Sequence, residues 1–184
     1  MQRDMKILKL HGTIEEKINT MLETAGWHEG RRVNIDEAVS YYNRYGLVLS
    51  EKAKVFISEY YGIADDWYFD SSNIDRAPDF EFNLFPYPKS YATDVVDFMY
   101  DDEEGEADSE EYAAVKALDK TACMVGEIGY YYPARVWIGD SGALLCTHEY
   151  DDEVHVFNDI TELIRHEILG HEPEVVCIKN SLCR

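Results

Sequence analysis

The chain has 184 residues and a mass of 21.3 kDa, is 46% hydrophobic, and carries a formal net charge of −20. That apolar share excludes wholesale disorder and fits a single domain, residues 1–184, with a sizeable core; no stretch approaches the ~20 consecutive apolar residues of a membrane span. Seventeen Asp/Glu against two Lys/Arg fall between residues 59 and 115, which excludes a nucleic-acid partner, because phosphates need compensating cations, and suits a basic protein partner.

The opening MQRDMKILKLHGTIEEKI is too charged for a signal peptide, so a cytoplasmic protein is expected. Three helices follow. Ile14, Ile18, Met21 and Leu22 form an apolar stripe ended by Gly26. Asn34 and Glu37 cap a second helix, with Ala38, Tyr41, Tyr42 and Tyr45 on one face and Gly46 at its end. Ser50 opens a third, in which Ala53, Phe56, Ile57, Tyr60 and Tyr61 recur at three- and four-residue spacing before Gly62. The tyrosines on these stripes are expected to pack as core with their hydroxyls satisfied.

FEFNLF (80–85) alternates as a half-buried strand that PYP ends. SYATDVVDFMY reads as a helix, and DDEEGEADSEE (101–111) as a solvated acidic loop running into the helix YAAVKALDK. A calcium loop is disfavoured there. With Gly105 as sixth residue, Asp102, Glu104 and Glu111 take ligand positions, but Tyr100 stands where the first carboxylate is needed.

From residue 122 the pattern turns to β. CMVGEIG precedes a Tyr-Pro turn, Val136 and Ile138 alternate with Arg135 and Trp137 before a GDSG turn, and ALLCTH and EVHVF flank the acidic turn EYDDE. If Asp151 and Asp152 make that turn, His148 and His155 face each other across the ladder. Two such histidines could hold a metal with a third ligand, but the local sequence offers none, and a polar pair on an exposed face is the expectation. Cys123, Cys146, Cys177 and Cys183 show no C-x-x-C pair and are expected as reduced thiols.

IRHEILGHEPE (164–174) superficially suggests a zinc-hydrolase helix. However, His171 comes five residues after His166, not the four that put both rings on one face, and Gly170 and Pro173 stop the helix that Asp159 and Glu162 cap. EVVCIK is one further strand. Helices first, then an antiparallel meander, then a closing helix make an α+β pattern.

Two stretches resemble a known family. In LETAGWHEGRRVNI, Ala25, Gly26, Trp27, Gly30, Arg31 and Val33 match the opening of the third named group of the SUKH superfamily of bacterial immunity proteins. In VGEIGYYYPARVWIGDSGALLCTH, Gly129, Pro133, Asp140 and Gly142 stand at its G-then-P and D-x-G turns. The resemblance runs over about residues 14–172, and the acidic stretch 86–115 looks like an insert to it. It implies a SUKH-like α+β fold, with N-terminal helices, a mainly antiparallel sheet and a C-terminal helix packed on it. It also implies a non-enzymatic protein, without cofactor or metal, that binds and neutralises the toxic domain of a polymorphic or contact-dependent toxin.

Many such toxins are nucleases with basic clefts, which an acidic surface would occupy in place of phosphate. Charge density places that surface on Asp97, Asp101, Asp102, Glu103, Glu104, Glu106, Asp108, Glu110 and Glu111, with Phe98 and Tyr100 as apolar anchors. Two other readings compete: a metal-dependent hydrolase using His148, His155, His166 or His171, and a regulatory interaction scaffold.

Overall fold

The computed structural model describes residues 6–44, 46–69, 80–84, 110–129, 134–148, 151–168 and 175–180, with backbone alone for 81–84, 110 and 175–180. Tyr45, Pro133, Gly170, His171, the helix expected over 90–100 and the acidic run up to Ser109 lie outside them.

The three N-terminal helices form where the apolar stripes place them. Helix α1 spans Ile14–Thr24, and Thr13 closes a reciprocal cap with Glu16. Helix α2 spans Asp36–Arg44, and the Asn34 side chain accepts the Asp36 N–H at 2.7 Å. Helix α3 spans Glu51–Tyr60, capped by the Ser50 hydroxyl, which accepts from Ala53 N–H at 3.0 Å. Ile18, Met21, Leu22, Ala38, Tyr42, Ala53 and Ile57 are buried together. The Tyr42 hydroxyl donates to the Met124 carbonyl across the core, as expected of a packed tyrosine whose polar end must be satisfied.

The strands are β1 (Lys6–Lys9), β2 (Ala64–Tyr68), β3 (Phe80–Leu84), β4 (Cys123–Gly129), β5 (Ala134–Ile138), β6 (Leu144–His148), β7 (Asp151–Phe157) and β8 (Val175–Asn180). They form one sheet in the order β1-β8-β2-β3-β4-β5-β6-β7, antiparallel at every pairing. Helix α4 (Glu110–Leu118) and helix α5 (Ile160–Glu167) complete the fold.

The α+β class is as read, but three strand features differ from the pattern read in the sequence. First, β2, ADDWY, is buried at every position, Asp65 and Asp66 included. A strand buried on both faces shows no alternation, and its acids disguise it. Second, the first and last described segments both join the sheet: β8 lies between β1 and β2, with Ile178 opposite both Lys6 and Trp67. Third, Asp151 and Asp152 are strand residues and not the turn; His148 pairs with Asp151, and His155 pairs with Cys146. The register shifts between Cys146 and His148.

Helices cover both faces of the sheet. Residues opposite one another in a ladder share a face, so Trp137 and Arg135 on β5 look away from Val136, Cys146 and His155. Helix α4 lies on the first face, where Tyr112 stacks on Trp137 at 5.6 Å and Glu111 pairs with Arg135 at 2.9 Å. Helix α5 lies on the second, with the His166 ring 5.1 Å from that of His155. Helix α1 packs on α5, and Arg165 reaches Glu15 at 2.5 Å. Cys123 and Cys146 are buried free thiols, and burial pushes both upward in pKa.

Candidate functional site

The first motif straps the chain leaving α1 onto the end of α3. Gly26 and Gly30 adopt φ of +103° and +72°, which residues with a β-carbon rarely take. Between them Trp27, half-buried, lies parallel to the Tyr60 ring at 6.3 Å and donates from its indole nitrogen to Glu59 Oε1 at 3.2 Å. Arg31 spreads its guanidinium over two carbonyls at the end of α3, Glu59 O at 2.5 Å and Tyr61 O at 2.7 Å. A cation there meets both the unpaired carbonyls and the negative end of the helix dipole. Val33 N–H adds a bond to Ser58 O at 2.9 Å. Ala25 caps α1 and is buried. Each of these contacts lies within the fold.

The described residues of the second motif sit at a strand end and in a turn. Gly129 ends β4, and Asp140 and Gly142 belong to the β5–β6 turn, Gly142 with φ of +76°. That turn is held from outside the motif, by two residues that its pattern does not include. Asp119 accepts from Ser141 N–H at 2.9 Å, and the Thr121 hydroxyl accepts from Asp140 N–H at 2.7 Å. Burial alone would raise the Asp119 carboxyl, but hydrogen bonds from Thr121 and Ser141 outweigh it and hold the group down at about 2. The D-T spacing just after a helix was the available signal, being that of a side chain that bonds the backbone two residues on.

Of the acidic residues assigned to partner binding, the described side chains include only Glu111. It is turned inward to Arg135, both side chains being mostly buried. Glu110 begins α4. Asp97, Phe98, Tyr100, Asp101, Asp102, Glu103, Glu104, Glu106 and Asp108 lie outside the described residues.

The structure gathers chemistry-bearing side chains elsewhere, where β6, β7 and the last turn of α5 meet. The rings of His148 and His155 are 5.7 Å apart, and those of His148 and His166 6.5 Å. Glu167, its side chain 6% exposed, offers Oε1 to His148 Nε2 at 3.1 Å and to His166 Nδ1 at 3.2 Å. The hydrogen bond to Glu167 raises the His148 pKa against the opposing effect of burial. Asp151 Oδ2 meets His155 Nε2 at 2.9 Å, an interaction that lowers the Asp151 carboxyl.

Thus the ladder reading found two of these residues, His148 and His155. It missed the third, Asp151, because it had placed that residue in the turn. His166 arrives from α5, and its approach depends on packing that no local pattern encodes. One ligand atom from each of His148, Asp151 and His155 lies within 4.8 Å of the others.

Among the described residues no helix is long and apolar enough to cross a membrane. The family model described as SUKH-3 immunity protein matches residues 14–166, a span that holds both motifs. Neither comparison with curated proteins nor comparison with solved structures gives a match.

Proposed function

The chain belongs to the SUKH-3 immunity protein family, and on that premise we propose that it binds the toxic domain of a polymorphic or contact-dependent toxin and blocks it through an acidic surface. The family match carries the reading. The charge of −20 gives it a direction, because a cleft that holds nucleic-acid phosphate is cationic and attracts carboxylates at long range. The contact is assigned to Asp97, Phe98, Tyr100, Asp101, Asp102, Glu103, Glu104, Glu106, Asp108 and Glu110. Glu111 serves instead as the anchor that ties this segment to the sheet through Arg135. The protein acts in the cytoplasm of the producing cell, as a binder and not a catalyst.

The test pairs the protein with the C-terminal domain of any large secreted protein found encoded beside it. Cells expressing that domain should survive only when this protein is co-expressed, and the purified pair should form a stoichiometric complex. A toxin domain that kills equally in its presence, with no complex formed, would end the proposal.

A further inference from the structure

We propose that His148, Asp151 and His155 form a binding site for one divalent transition-metal ion, Zn²⁺ by ligand type, with Glu167 and His166 supporting it from α5.

The first argument is proximity with the right atoms. The three ligand atoms fall within 4.8 Å of one another, while bonds of ~2.0–2.2 Å set the corners of a tetrahedral zinc site about 3.3 Å apart. Side-chain rotation on binding an ion has that gap to close. Two imidazoles and one carboxylate suit zinc, whereas calcium and magnesium favour all-oxygen sets.

The second argument is the hydrogen bonding of His148. Its Nε2 faces the buried Glu167 carboxylate at 3.1 Å, so Nε2 carries the proton it donates. Its Nδ1 is buried and has no hydrogen-bond partner among the described residues. A buried ring nitrogen without a partner costs free energy, and an ion bound there would satisfy it. A carboxylate that fixes one nitrogen of a histidine while the other faces an ion is the usual support of a metal ligand. Glu167 has the position and burial for that role.

Asp151 is likewise oriented. Its Oδ1 accepts from Glu153 N–H at 3.0 Å, leaving Oδ2, now opposite His155 Nε2, to exchange that contact for an ion. Access is open, since the Asp151 side chain is 42% exposed and that of His155 28%. Three protein ligands leave a fourth position for water. The ion would join the β6–β7 hairpin, and through Glu167 the end of α5, into one unit. The site is independent of toxin binding and assigns no hydrolysis to the protein.

The test uses the full chain without a histidine tag, stripped with chelator and titrated with Co²⁺ while visible absorption is recorded. Saturation at one ion per chain with Kd below about 10 μM is expected, with displacement by Zn²⁺ and a rise in thermal midpoint on Zn²⁺ addition. The double variant Asp151→Asn/His155→Gln, on an exposed edge strand, should keep its circular dichroism and bind at least ~100-fold more weakly. Glu167→Gln should weaken binding about 10–100-fold, and His28→Gln, in the loop after α1, should leave it unchanged. No saturable binding up to about 1 mM Co²⁺, or undiminished binding by the folded double variant, overturns the assignment.

Discussion

The carboxylate of Asp119 rests against the backbone of Gly139, so closely that a β-carbon on Gly139 would lie 2.5 Å from the Asp119 carboxyl carbon. The same carboxylate accepts hydrogen bonds from Thr121 N–H at 2.9 Å, the Thr121 hydroxyl at 2.7 Å and Ser141 N–H at 2.9 Å. It is therefore not a flexible chain end that could step aside. Gly139 is needed for space, and Asp119 for holding the β5–β6 turn to the end of α4.

Gly139→Ala should destabilise the protein by about 1–3 kcal/mol, the usual cost of forcing atoms into an occupied site. In an Asp119→Ala background the same change should cost less than about 1 kcal/mol, because the obstruction is gone. Urea denaturation of the four proteins gives the coupling directly. An equal cost in both backgrounds would show that Gly139 serves some other contact.

Asp119 also predicts a pH dependence. Its folded pKa of about 2 lies below the ordinary 3.8, so the folded state binds its proton less readily than the unfolded chain. The resulting stability, on the order of 2 kcal/mol, is fully present above about pH 4 and is lost as pH falls toward 2. The stability gap between the wild type and Asp119→Asn should narrow across that window. A gap that stayed constant from pH 5 to about pH 2 would contradict the assignment.

Arg31 bridges two carbonyls with one planar group. A lysine cannot reproduce that fork, so Arg31→Lys should cost about 1–2 kcal/mol even though the charge remains. A denaturation midpoint unchanged from wild type would mean that the fork contributes nothing.

For toxin binding, the charge acts mainly on encounter. Neutralising Asp101, Asp102, Glu103 and Glu104 to their amides should slow association about ten-fold at low salt and change dissociation much less. Stopped-flow or surface-resonance kinetics across ionic strengths would check this. Rates insensitive to both salt and the substitutions would move the contact away from the acidic run.

The helix starts were legible because a cap is a local event. The Ser50 hydroxyl finds Ala53 N–H, and the Asp159 carboxylate finds Glu162 N–H, three residues along the same chain. The glycines at 26 and 30 were legible for a similar reason: their backbone conformation is fixed within one turn. The family motifs join such local devices to residues like Trp27 and Arg31, whose partners on α3 no local pattern reveals.

What the sequence by itself determined, then, was helices α1 to α5, the β4–β7 meander, the α+β class and the family resemblance carried by two short motifs. Only the tertiary structure decided the insertion of β8 between β1 and β2, the clamp of Asp119 on Ser141, and the meeting of His148 with Glu167. Those partners stand 22 and 19 residues apart, and β1 and β8 lie at opposite ends of the chain. Hydrogen bonding within a turn is written into neighbouring residues, but contacts across a sheet form only once the whole core has chosen its register, and that register sets Asp151, not His155, opposite His148.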